Sequence, residues 1–396
     1  SPAPMPAAYP AAYQPLKRPE PSSADPRPLF MSLDPAAVVR LETWHTEQVA
    51  AVRVTTADGS CGWGQTSPYQ AQITAPMAHK HIAAHVLGRP VTDTAALTSD
   101  VLRYECKWIG TFLLRALSGV DTACWDCQGQ RAGLPVARLV NADAKRSLAT
   151  YASSMQRDNA PEEERERFEA FQEAHGTVGH KYKVMAWTGK NVDSVPGRTQ
   201  GLIRAMGQHF GEEFLIADAN GGYFPETAIA DSALMADCGV DYLEEPCYYL
   251  DLEATAAVAR SSQVPVVGGE QDYDALRWQR LLDGIVAIAQ PDPCYCGGFT
   301  RLLQIAEQAA SRGVSVMPHT ANRSLVTRFG AHLLAAIPNA GPMLEWSMEE
   351  EPWTDDLFTE ALTLDNGTLA LGDAPGWGAV FHPDWLKKAQ YQESRR

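Results

Sequence analysis

Between residues 148 and 346 the chain carries eight short apolar runs, most of them followed by a loop and a stretch with helical periodicity. The runs are residues 148–154, 179–185, 213–220, 240–246, 264–270, 284–292, 313–319 and 341–346. The stretches between them are amphipathic; in residues 300–313, Leu302, Leu303, Ile305, Ala306 and Ala309 form one apolar stripe. Strands separated by helices pair in parallel, because each helix crosses back over the sheet before the next strand begins. Eight is the number at which such a sheet closes on itself. The expected fold is therefore α/β, with a (β/α)7-8 TIM-like barrel.

The rest of the chain is organised differently. Residues 1–28 hold nine prolines and many alanines without apolar periodicity, and such a segment cannot offset its ordering entropy by burial. Residues 1–29 are read as an extension outside the fold. Residues 48–65 alternate like a strand pair around Asp58-Gly59, a hairpin signal, and helical runs continue to about residue 140. The expected domains are an α+β unit over 30–145, the barrel over 146–365 and a C-terminal segment over 366–396. A length of 396 residues, 45% of them hydrophobic, suits one large core and a smaller one.

Charge and cysteine usage exclude several functions. With 33 basic against 48 acidic residues the net charge is -15, which argues against a nucleic-acid partner, since phosphate-backbone binding rests on clustered Lys and Arg. No run approaches the roughly 18 to 20 apolar residues of a membrane span, and no N-terminal apolar segment resembles a secretion signal. A soluble, cytoplasmic protein is expected. Its eight cysteines are read as reduced thiols, and Cys124 and Cys127, at redox or zinc spacing but on a helical run with no second such pair, as buried structural residues. There is no phosphate-cradling GxxxxGK[ST], and Gly62-x-Gly64 alone does not suggest a nucleotide.

What ends each strand narrows the chemistry. Lys183, Asp218, Glu244, Glu270, Asp292, His319 and Glu345 close strands two to eight, at separations of 35, 26, 26, 22, 27 and 26 residues, about one strand–helix unit each. A single acid of this kind is ordinarily a solvated loop residue, and a single His a structural one. In a barrel, however, all these ends meet at one rim, where active sites of this fold sit. Asp218, Glu244 and Glu270 come from consecutive strands, and three carboxylates so close raise each other's pKa unless a cation joins them. Oxygen donors alone, with room for water and substrate, suit Mg²⁺ better than zinc. Strand alternation directs Glu244 inward and Glu245 away, so Glu244 is the expected ligand and Glu245 its support. Lys181 and Lys183 share a face, and their repulsion is expected to lower the pKa of one, making Lys183 a candidate base. Asp292 beside His319 on the next strand would orient the imidazole and favour its protonated form.

With those residues in place the sequence resembles the enolase superfamily, specifically its mandelate racemase subgroup, from about residue 30 onward. The resemblance rests on Lys181-x-Lys183, the acids in IADANGG, YLEEP and VVGGEQ, the Asp of QPD, the His of MPHT and the Glu of LEW, in that order. It implies an N-terminal α+β capping domain to which the C-terminal segment returns. It also implies Mg²⁺ held by Asp218, Glu244 and Glu270, Lys183 as the base on one face, and His319 with Asp292 as the acid/base on the other. Lys181 and Glu345 would stabilise the substrate carboxylate, Glu345 as a neutral donor with a raised pKa; Asn220, Glu245 and Tyr151 would stand beside the substrate. The family's lid loops map near residues 41–48 and 62–72.

The implied reaction removes the proton alpha to a carboxylate and then eliminates water from a sugar acid, giving a 2-keto-3-deoxy acid. Racemisation, epimerisation or cycloisomerisation of a related acid is the alternative. A Schiff-base aldolase built on Lys183 has no need of three metal-binding acids, and a non-catalytic scaffold would not keep every strand end ionisable. A homo-oligomer acting on a small carboxylate is expected.

Overall fold

The computed structural model describes residues 34–396, so the extension expected over 1–29 lies outside the described residues. The alternating segment forms an antiparallel sheet of β1 (Val38–His45), β2 (Ala50–Thr56) and β3 (Cys61–Gln65), with Gly59 at φ 88° in the β2–β3 turn. Helix Thr111–Ala132 packs on β3 so closely that a Cβ on Gly62 would lie 2.1 Å from the Cys127 backbone nitrogen. On Gly64 it would lie 2.3 Å from the Gly119 carbonyl. Gly62-x-Gly64 is thus the surface that admits this helix. Cys124 and Cys127 are buried on it as free thiols.

Eight parallel strands follow: β4 (Ser147–Ser153), β5 (Gly179–Lys183), β6 (Phe214–Asp218), β7 (Tyr242–Glu244), β8 (Val266–Gly268), β9 (Ile288–Ala289), β10 (Ser315–Val316) and β11 (Leu344–Ser347). Their order is β10-β9-β8-β7-β6-β5-β4-β11. The ring is completed between β10 and β11 by a bridge from Val316 to Ala340 and by Thr320, whose N–H and hydroxyl both donate to Glu345. Helices of 8 to 15 residues follow β4 to β10, from Pro161–His175 to Leu325–Ala336, whereas the next helix after β11 is the short Pro352–Asp355. Inward-pointing Tyr151, Ile216, Val267, Ile288, Met317 and Met343 fill the barrel.

β8, β9 and β10 are shorter than the apolar runs that contain them. Gly268, the last residue of β8, and Gly269, at φ 156° and 117°, take the chain out of ordinary strand geometry. Pro291 and Pro318 have no N–H to offer the ladder after β9 and β10. Glu270, Asp292 and His319 consequently stand two or three residues past their strands, in loops over the barrel mouth.

The C-terminal segment divides its contacts. β12 (Thr368–Ala370) adds antiparallel to β4, while β13 (Gln390–Arg395) pairs with β1 of the N-terminal sheet. Between them Trp377 is buried against Phe299 and Phe329, and its indole N–H donates to the Thr122 carbonyl. Among the described residues no helix is long and apolar enough to cross a membrane.

Candidate active site

A cavity of about 630 Å³ opens at the C-terminal ends of the barrel strands, and Lys183, Asn220, Glu245, Glu270, Asp292 and His319 are among its lining residues. Beneath it lies a network of buried charges. Lys183, at the end of β5, donates to Asp218, its partner in the β5–β6 register. Lys181, one layer deeper, bridges Glu244 and Glu345 at 2.7 Å each and stands 3.8 Å from Asp218. Gln290 donates to the other Glu244 oxygen at 2.6 Å. The lysines hold Asp218 below its usual range against the opposing effect of burial. Burial drives Glu244 upward, aided by the charges of Asp218 and Glu345. Burial and the charges of Glu270 and Asp218 do the same to Glu245. These are the shifts expected of carboxylates crowded beyond what the nearby cations can balance.

Burial works against the Lys181 ammonium, but the charges of Glu244 and Glu345 hold its pKa well above normal, so Lys181 is not the lysine whose proton is loosened. Two expectations change. Glu345 is not raised. Burial pushes it up, but Lys181 and His319 outweigh that, helped by the Thr320 N–H at 2.6 Å, and they hold it below its usual range, ionised. Glu245 does not point away from the rim. It follows the last residue of β7 at φ 40°, in the left-handed region, so strand alternation ends one residue too early, and the side chain enters the cavity beside Glu270 and Asn220. Of the segments proposed as lids, residues 41–45 and 62–65 belong to β1 and β3, and only Pro68 and Tyr69 reach the cavity.

Across the rim, His319 Nδ1 lies 2.8 Å from Asp292 Oδ2, while Asp292 Oδ1 accepts the Cys294 and Tyr295 N–H groups at 2.6 and 2.9 Å. His319 Nε2 is 3.3 Å from Glu270 Oε2. Burial opposes the imidazolium, yet Glu270, Glu345 and Asp292 raise its pKa to about 10. Tyr151 is the register partner of Glu345 in the barrel interior, and its hydroxyl has no partner. Asn220, at φ 39°, receives a hydrogen bond from Arg157.

Arg157, Gln290, Ser153 and Thr320 were not foreseen. Ser153 donates to Glu345 at 2.8 Å, and the Arg157 guanidinium stacks 4.5 Å from the centre of the Trp187 ring. Only Gln290, a polar residue in the apolar run before Asp292, carried a signal that could have exposed it.

Among the described residues the acids do not converge as a ready metal cage, because Asp218 and Glu244 are closed on lysines. The donor set nevertheless fits a hard divalent ion. Glu270 Oε2 is buried without a hydrogen-bond partner, and a carboxylate such as Glu244 retains lone pairs after accepting from Lys181 and Gln290.

Residues 29–141 match the mandelate racemase / muconate lactonizing enzyme N-terminal domain, and residues 163–385 match the enolase C-terminal domain-like family. The chain belongs to the enolase superfamily, in its mandelate racemase subgroup. A crystal structure from Roseobacter denitrificans, described as a racemase, superposes with a TM-score of 0.89 at 42% identity, covering 91% of this chain and 100% of that one. The mandelate racemase/muconate lactonizing protein of Paracoccus denitrificans, solved with magnesium, gives 0.81 at 26%, covering 91% and 97%. The D-galactarolactone cycloisomerase of Agrobacterium fabrum is 29% identical over 85% of this chain and 89% of its own length. The arabinonate dehydratase of Saccharolobus solfataricus is 26% identical over 84% and 88%.

Proposed function

We propose that this superfamily member removes the proton alpha to the carboxylate of a sugar acid and then eliminates the beta hydroxyl as water, giving a 2-keto-3-deoxy acid. The observation that carries this reading is the placement of Lys183 and the His319–Asp292 pair on opposite sides of one cavity, with a cluster of carboxylates between them. Lys183 in its amine form takes the alpha proton. His319, charged near neutral pH, gives its proton to the departing hydroxyl. Loss of water leaves an enol that becomes the 2-keto acid by taking up a proton at the next carbon and losing the one on its hydroxyl oxygen.

Asp218, Glu244 and Glu270 are the proposed holders of Mg²⁺, with Glu245 beside them. When bound, the ion supplies positive charge against the negative charge that develops on the substrate carboxylate. Such stabilisation is needed, because a positioned base alone contributes about 10² to 10⁴ in rate, whereas enzymes commonly reach at least roughly 10⁶. Lys181 contributes charge from below the carboxylates and Glu345 fixes its ammonium. The ionised Glu345 acts on Lys181, and reaches the substrate as a donor only after gaining a proton.

A second reading follows from the same two-faced arrangement and from the racemase and cycloisomerase relatives: His319 returns a proton to the same carbon, and the acid is inverted or isomerised. Incubation in D₂O with Mg²⁺ and a panel of sugar acids separates the two. Keto product indicates dehydration, and deuterium at the alpha carbon without keto product indicates isomerisation. If no acid exchanges its alpha proton and none gives keto product, both readings are wrong.

A further inference from the structure

The cations that line the cavity, Lys183 and His319, belong to the reacting end, where Glu245, Glu270 and Asp292 also line it. Arg157 is bonded to Asn220, and the charges of Asp218 and Glu270 act on it. The wall formed by the loop after β11 adds two carboxylates, Glu349 and Glu351, and no lining cation. Glu349 is held in place, accepting the Met155 N–H at 2.7 Å and pairing with Arg167 at 3.2 Å. Glu351 is not: its Oε2 is buried and has no hydrogen-bond partner. The cation that acts on it, Arg323, reaches toward Asp355 at 3.5 Å. Asn322, on the same cavity, adds a neutral amide.

On the basis of the function proposed above, we infer that this wall selects sugar acids with one carboxylate, aldonates, and discriminates against aldarates, which carry a second carboxylate at the far end of the chain. The first carboxylate is placed at the end that holds Lys183, His319 and the proposed Mg²⁺ site. The remaining chain then runs toward Glu349 and Glu351, where hydroxyl groups donate to carboxylate oxygens and the unpartnered Glu351 Oε2 gains a donor. A terminal carboxylate has no donor to meet there. It would be desolvated beside one or two like charges, a combination that is costly at any effective dielectric short of bulk water.

The test compares aldonate–aldarate pairs that differ only at the terminal carbon, such as gluconate with glucarate and galactonate with galactarate. It reads alpha-proton exchange and keto product with Mg²⁺ at about pH 8, above the value of about 7 to which burial pushes Glu351. For the pairs that react, the aldonate is expected to show at least about tenfold higher kcat/KM. Glu351→Gln should narrow that ratio by removing one repelling charge, and Asn322→Asp should widen it by adding one. A preference for the aldarates, or a ratio unmoved by both substitutions, overturns the inference and leaves the proposed reaction standing. Absence of both exchange and keto product with every acid defeats the proposed reaction itself, and the selectivity falls with it.

Discussion

Replacing Asp292 with Asn tests the His319 assignment most directly, because it alters charge while nearly preserving shape. The rise of His319 from 6.5 to about 10 corresponds to on the order of 5 kcal/mol favouring the imidazolium, against the effect of burial. Asp292 shares that effect with Glu270 and Glu345. A buried charge-assisted hydrogen bond of this kind is worth about 1.5–3 kcal/mol, so D292N should lower the His319 pKa by about one to two. The amide oxygen can still accept the Cys294 and Tyr295 N–H groups, which leaves the amide nitrogen facing His319 Nδ1. Donor then meets donor unless Nδ1 gives up its proton. The variant should therefore retain alpha-proton exchange, which depends on Lys183, while elimination falls by about 10² to 10⁴, the usual contribution of a positioned general acid. The paired assay measures exchange by NMR in D₂O and keto product by its absorbance, with the His319 titration followed by imidazole resonances. Equal loss of both activities, or an unmoved titration, would refute the division of labour between the two faces.

Lys183→Arg keeps the positive charge on Asp218 but offers no usable base, so exchange should vanish with little change in the thermal midpoint. Lys183→Ala, by contrast, removes one partner of a buried pair and should destabilise the chelated protein by about 3 kcal/mol, with much of the loss restored by Mg²⁺; equal stability of the two variants would contradict the ion pair. Glu244→Gln should weaken Mg²⁺ binding, read by calorimetry, more than Glu245→Gln, and the reverse order would transfer the ligand role to Glu245. His332 is buried, accepts the Ala137 N–H at 3.0 Å, and is pushed down to about 3, chiefly by burial. Its depressed folded-state pKa means that its contribution is complete above pH 6.5, its ordinary value, and declines as pH falls toward about 3. His332→Gln should flatten the acid limb of the stability–pH curve measured by denaturant unfolding, and an unchanged limb would count against that origin.

Much of the site was legible because the parallel strand–helix unit has a nearly constant length. Residues separated by about 26 positions return to the same rim, so spacing alone groups Asp218, Glu244 and Glu270. The same logic put Asp292 beside His319, and the two side chains meet at 2.8 Å. Legibility failed where backbone departs from the regular unit. The left-handed φ of Glu245 reverses a direction that alternation assigned, and glycines and prolines cut β8 to β10 short. The Ser153–Glu345 bond spans 192 residues, and nothing local to either residue announces it.

The order of strands, the residue types at their ends and the need for positive charge among the acids were properties of the sequence alone, because they depend on periodicity and on the chemistry of side chains. Which acid is ionised was decided only by the tertiary structure. Glu345 and Glu244 are both buried carboxylates touching Lys181, yet they shift in opposite directions. Glu345 also feels the His319 charge and receives a backbone N–H, while Glu244 has Asp218 and Glu270 as neighbours. Charge state follows the sum of all surrounding charges and dipoles at short range, and only the closed barrel fixes those distances.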